Sequence, residues 1–249
     1  SHVRGSRVPV VEEKKRAVPL SYSVACKQIG MVSVDRAKEM LKGRRRKKKK
    51  NQRFQKGKRK HNQHATSHID VFKMMRNKHW PYLYFTFSRA KTENLAYGLK
   101  HWLHKSLLNE EEQHQVATIL ADFKGQPGGE EALQDSVEEV LQYGVAFHHA
   151  GVHVLIKNLV ESLYERRLIK VLYCTGTFAL GINMPAKSAV FDSLERYDGT
   201  GMIPLPTREF MQMAGRAGRR GLDDKGLVVM RINDDEYMDF YPQIKGYLS

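Results

Sequence analysis

Cysteine is nearly missing from this 249-residue sequence, which has only Cys26 and Cys174. Two thiols exclude a disulfide framework and a cysteine-based zinc centre, and they favour a reducing, intracellular setting. No apolar run reaches the ~18 residues of a membrane-spanning helix, so no membrane role is expected. The polar opening SHVRGSR has no signal-peptide apolar region. There is no G-x-x-x-x-G-K-[ST] loop to cradle phosphates. Carboxylates placed for magnesium are lacking too. Glu111-Glu112-Gln113-His114 follows KSLLNE inside a helical pattern, not a buried strand, and Asp235-Glu236 is followed by Tyr237-Met238. The sequence therefore lacks both the phosphate cradle and the magnesium carboxylates.

Acidic residues are also absent from one stretch. Lys42 to Lys60 holds thirteen basic residues and no acidic one, and without it 29 basic residues face 27 acidic ones. One segment thus carries nearly all of the formal net charge of +15. Counterion release gives such a tract non-specific affinity for RNA or DNA. Phe54 is its only aromatic residue, so base stacking is not its main mode.

What is present divides by composition into three parts. Residues 1–40 contain AVPLSYSVACKQIGMVSV, whose β-branched residues suggest extended structure. Residues 41–68 are basic, of low complexity and poor in apolar side chains, which predicts a disordered insertion. Residues 69–249 read as a compact α/β domain in which strands and helices alternate. PYLYFTF is a strand, and Ser88 caps a helix, RAKTENLAYGLKHWLHKSL, with Leu95, Leu99, Trp102 and Leu103 at helical spacing. Two helical segments, about 109–123 and 130–143, are split by GQPGG. VAFHHAG, IKVLYC, SAVFDS and KGLVVMRI are strands, VLIKNLVESLYERR is an amphipathic helix, and TREFMQMAGRAG begins a helix at Thr207. The pattern implies a doubly wound, mostly parallel sheet flanked by helices.

Ligands of such sheets gather beyond the carboxyl ends of the strands. FSRAK, FHHAG, CTGTFALGIN and the helix holding GRAGRR are all expected there. Within GRAGRR, Gly215 and Gly218 would leave the helix surface bare. Arg216 and Arg219, three residues apart, would then reach one phosphate from one helix face. The bland alternative is a basic helix end in water. Thr175, Thr177, Gly181 and Asn183 supply hydroxyls and free N–H groups suited to sugar–phosphate contacts, or simply a capped turn. His148-His149-Ala150-Gly151 is not a metal site, because nothing nearby completes a ligand set. His61, His64 and His68 are better spaced but belong to the low-complexity tail.

The order FSRAKTENLA, FHHAG, VLYCTGTFALGINMPAKSAVF, FMQMAGRAGRRGLDDKG resembles the second RecA-like domain of superfamily 2 helicases, specifically the superkiller-type DExH-box RNA helicases. RAVPLSYSV resembles the crossing from the first RecA-like domain, and the likeness covers most of residues 16–233. The resemblance implies that Ser88 and Arg89 lie near the RNA backbone, with His149 and Gly151 beside them. It implies RNA contacts for Thr175, Thr177, Gly181 and Asn183. Gln212, Gly215, Arg216 and Arg219 would serve ATP, the two arginines as catalytic fingers on the γ-phosphate. Thr175-Gly176-Thr177 departs from a frequent Thr-Glu-Thr and lacks its carboxylate. ATP and Mg2+ would be held mainly by a first RecA-like domain outside this chain. Single-stranded RNA and RNA-degradation machinery are the implied partners, and the chain alone would be inactive. A DNA helicase of the same superfamily and a non-catalytic RNA-binding or scaffold module remain the alternatives.

Overall fold

A computed structural model describes residues 2–3, 6–7, 18–42, 65–176 and 184–248. Most of the 41–68 insertion lies outside the described residues, as do Thr177, Gly181 and Asn183.

The elements follow the sequence pattern closely. Strand β1 (Leu20–Cys26) and β2 (Gly30–Ser33) lead into α1 (Val34–Leu41). After the insertion come α2 (His68–Met75), β3 (Tyr82–Thr86) and α3 (Arg89–Trp102). Helices α4 (Glu110–Lys124), α5 (Gly129–Ala132) and α6 (Asp135–Gln142) precede β4 (Val145–His148). Next are α7 (Val154–Glu165), β5 (Val171–Thr175) and β6 (Ser188–Phe191). A hairpin of β7 (Glu195–Tyr197) and β8 (Met202–Pro204) leads to α8 (Thr207–Ala214), β9 (Gly226–Arg231) and α9 (Tyr237–Tyr247).

One seven-stranded sheet runs β2-β1-β9-β6-β3-β5-β4. It is parallel throughout except for β2, which pairs antiparallel with β1 at one edge. The central strands are buried along their length, as the unbroken apolar runs YLYFT, VLYC and SAVF require of a sheet covered on both faces. This is the expected α/β, RecA-like architecture.

Three points refine the expectations. First, the extended segment expected within residues 1–40 joins the sheet of the 69–249 part. β1 pairs with β9 from Leu20↔Gly226 to Ala25↔Arg231, so the first segment is built into the same sheet. The ends of the basic insertion are also tied down: Leu41 is fully buried, and Thr66 is 1% exposed. Second, α3 stops at Trp102. Its buried face is Thr92, Ala96 and Leu99, the first two small enough to let the helix lie close to the sheet, while Trp102 is 38% exposed. Third, α8 ends at Ala214 and does not contain GRAGRR.

The last point has a steric cause. Gly215 caps α8, and a Cβ there would lie 2.9 Å from Met211 O. Ala217 then forms a parallel bridge with Ala186, just before β6, through Ala186 N–H to Arg216 O and Gly218 N–H to Ala186 O, both 2.8 Å. Gly218 has φ +87°, and a Cβ on it would meet Val18 Cγ1 at 2.6 Å. Gly226 is equally crowded, since its Cβ would meet Ala217 O at 2.5 Å. These glycines permit backbone packing, not a bare helix surface for an anion.

Candidate functional site

The parallel strands bring several sequence-predicted residues to one edge, beyond their carboxyl ends. Ser88 follows β3 and caps α3, its hydroxyl accepting from Lys91 N–H. Arg89 opens that helix and is exposed. His149 and Gly151 follow β4, Thr175 ends β5, and Gly176 comes directly after it. A Cβ at Gly151 would lie 3.2 Å from His149 Nδ1 and 3.5 Å from Arg89 Cδ, so these three residues converge.

His149 lies within that cluster but is 4% exposed, so its ring has no face to offer a polymer. It stacks on Phe147. Nδ1 accepts from Gly151 N–H at 3.1 Å, which leaves Nε2 to carry the proton and donate to Glu93 at 2.7 Å. The histidine therefore holds the loop against α3 and fixes Gly151 beside Arg89. His148, its neighbour, reaches Glu161 at 2.9 Å. Burial holds the His148 pKa below the ordinary imidazole range, although Glu161 opposes this.

A charged network that sequence reasoning missed supports the same edge. Asp192, the residue after β6, is 4% exposed. Its Oδ1 accepts from Tyr84 Oη at 2.8 Å and Arg231 Nε at 2.9 Å, and its Oδ2 is ion-paired with Lys91. Burial alone would raise its pKa, but Arg231 and Lys91 hold the carboxyl below its usual range. Arg231 Nη1 also donates to Thr66 O at 2.7 Å. The hydroxyl of Thr66 donates to Ile232 O at 2.8 Å and accepts from Lys27 N–H. Lys91, on the first turn of α3, is thus locked to the strand ends. A carboxylate directly after the apolar run SAVF was the available sequence signal.

The residues expected at ATP divide between two places. Gln212 lines a groove of about 480 Å³ with Thr175, Gly176 and Phe87. One wall of it holds the Arg196–Glu209 ion pair at 2.9 Å. Arg216 and Arg219 lie elsewhere, in the turn tied to Ala186 at the amino end of β6, so GRAGRR belongs to the opposite edge from the one expected. Arg219 borders a pocket of about 220 Å³ formed with Tyr164, Met184 and Pro185.

Arg219 has an in-chain partner that sequence reasoning did not assign. Its Nε donates to Asp223 Oδ2 at 2.8 Å and its Nη2 to Oδ1 at 2.9 Å, a bidentate pair. Hydrogen bonding to Arg219 holds the Asp223 carboxyl below its ordinary range and raises Arg219 in turn. Arg216 is half-buried and Arg220 exposed. Among the described residues, no three His, Cys, Asp or Glu side chains cluster as a metal site would need. No helix among them is long and apolar enough to cross a membrane. Both thiols are buried, which pushes their pKa values up.

The seven-stranded, mostly parallel sheet flanked by helices is a RecA-like α/β architecture. No protein-family model matches the chain. Superkiller complex protein 2 of Mus musculus is 39% identical over 153 residues, covering 60% of this chain and 12% of that protein. ATP-dependent RNA helicase mtr4 of Schizosaccharomyces pombe is 36% identical over 174 residues, 68% of this chain and 15% of that protein. Antiviral helicase SKI2 of Saccharomyces cerevisiae is 36% identical over 154 residues, 60% and 12% respectively. The chain is homologous to the Ski2/Mtr4-type DExH-box RNA helicases of superfamily 2. It spans 12–18% of the length of such relatives.

Proposed function

We propose that this chain is the second RecA-like domain of an ATP-dependent RNA helicase, working with a first RecA-like domain elsewhere in a longer protein. The observation that carries the reading is the placement of the site residues at the two edges of one sheet. Arg89, Lys91, Gly151 and Thr175 gather at the carboxyl edge, and the arginine turn is pinned by backbone pairing at the amino edge.

In this reading Ser88, Arg89 and Thr175 hold single-stranded RNA by its backbone, together with Thr177, Gly181 and Asn183. Gly151 leaves room for the strand, and His149 positions the loop. Contacts to phosphate and sugar fix register without reading bases, which suits a motor that moves along any sequence. Gln212 and Gly215 order the nucleotide side. Arg216 faces the γ-phosphate across the interdomain cleft, and Arg219 joins it from its place on Asp223. ATP and Mg2+ are held mainly by the first domain, since this chain offers no phosphate loop. A guanidinium brought to the developing γ-phosphate charge needs no cradle on its own domain, because a finger can reach the phosphate from across a cleft. The chain by itself is inactive in this reading, and RNA-degradation machinery is the setting for the whole protein.

The test is RNA-stimulated ATPase of the full-length protein. Arg216→Ala should lower turnover by about 10³-fold or more with RNA affinity retained. Undiminished turnover would overturn the finger assignment. Stimulation by DNA but not RNA would favour the DNA-helicase alternative.

A further inference from the structure

The amino edge of the sheet carries a second groove, remote from Arg89 and Thr175. It lies between the end of α2, the residues before β3, and the segment that joins α3 to α4, with a volume of about 1050 Å³. Its floor is a row of aromatic rings. Phe72 stacks on Trp80 with centroids 6.2 Å apart and meets Trp102 edge-on at 5.9 Å. Its rim is mostly basic: Lys73, Arg76 and Lys105, all exposed, with Glu110 as the acidic lining residue.

We infer that this groove docks a short acidic segment of a protein partner, one or two apolar side chains entering the aromatic floor and flanking carboxylates meeting Lys73, Arg76 and Lys105. Large aromatic residues at a pocket supply most of the binding energy at such sites, and the rim charges steer and select. Two observations favour a peptide over a nucleic acid. Lys73 Nζ lies 5.1 Å over the Trp102 ring, so a face that a base would stack on already carries a cation. Phe72 is buried between the two tryptophans, leaving no open platform for successive bases. An apolar floor bounded by positive charge instead complements apolar anchors set among acids.

The chain is well suited to the test, because its two tryptophans, Trp80 and Trp102, both line the groove. Intrinsic tryptophan emission therefore reports on this site alone. A random dodecapeptide library is selected on the 249-residue chain, with the Lys73→Glu/Lys105→Glu variant as counter-target. Enriched peptides should be net acidic with Phe, Trp or Leu anchors. A synthetic copy should shift tryptophan emission saturably. Its affinity should fall about 10-fold or more for Trp102→Ala, at a side chain that is 38% exposed, and likewise for the charge-reversed rim. Each variant's circular-dichroism melt serves as the folding control. No enrichment over the counter-target, or enrichment of neutral or basic peptides, would overturn the proposal. It would fail equally if an oligouridine shifted the emission while acidic peptides did not, or if the enriched sequences matched a segment of the longer parent protein.

Discussion

Arg219→Ala probes two functions at once, and the structure shows how to separate them. The guanidinium makes two hydrogen bonds to Asp223, whose side chain is 4% exposed, while that of Arg219 is 18% exposed. Truncation leaves the carboxylate with one donor, the Arg219 backbone N–H at 2.9 Å. Breaking a buried ion pair from one side costs about 3–5 kcal/mol. Here one donor survives and solvent is near, so a loss of about 2–3 kcal/mol is expected. At about 2–4 °C per kcal/mol for a domain of this size, the melting temperature should fall by about 5–10 °C. Removing both charges, in Arg219→Gln/Asp223→Asn, leaves no orphaned ion and should recover at least half of that loss. The pH dependence has a definite sign. The folded pKa of Asp223 is depressed, so the pair's contribution is present above the unfolded carboxylate value and is lost as pH falls through the folded one. Circular-dichroism melts of the three proteins should therefore differ near neutrality and converge in acid. A melt of Arg219→Ala within about 1 °C of the parent at pH 7 would refute the argument, placing Asp223 off Arg219 in solution. Any loss of ATPase in Arg219→Ala should accordingly be judged against the double variant.

Two other perturbations follow from the packing. Gly218→Ala would force a left-handed residue to carry a Cβ 2.6 Å from Val18 Cγ1 and 3.1 Å from the Gly226 backbone, so thermal denaturation should show a loss of about 3 kcal/mol or more; a wild-type melt would sink the idea. His68 donates to or accepts from Tyr173 Oη at 2.9 Å, and burial lowers its pKa to about 4. Its neutral form is favoured by folding, so about 2–3 kcal/mol of stability present above pH ~6.5 should drain away between there and about pH 4. His68→Gln should flatten the denaturation profile across that window, and an unchanged slope would exclude the histidine as the cause.

Local signals account for most of the fold that could be read in advance. Apolar runs such as YLYFT and VLYC marked strands buried on both faces, and Ser88 marked a helix start that its side-chain cap bears out. The hairpin Glu195–Pro204 and α9 were not legible, the first for want of alternation, the second because Pro242 and Gly246 interrupt its helical pattern. The Asp192–Arg231 contact spans 39 residues and that of Thr66 with Ile232 spans 166, distances over which no local pattern operates.

The sequence by itself determined the class: an α/β chain with a helicase-like order of motifs and no phosphate loop. It also singled out the arginines, because guanidinium groups set among glycines are chemically distinctive. Only the tertiary structure decided how they are held. GRAGRR read as a helix face, since an arginine every third residue fits helical spacing. Close packing of Gly218 against Gly226 overrode that spacing, breaking the helix at Ala214 and drawing the turn to the amino edge of the sheet. There Arg219 meets Asp223 as part of a folded turn, a pairing fixed by backbone sterics that periodicity does not encode.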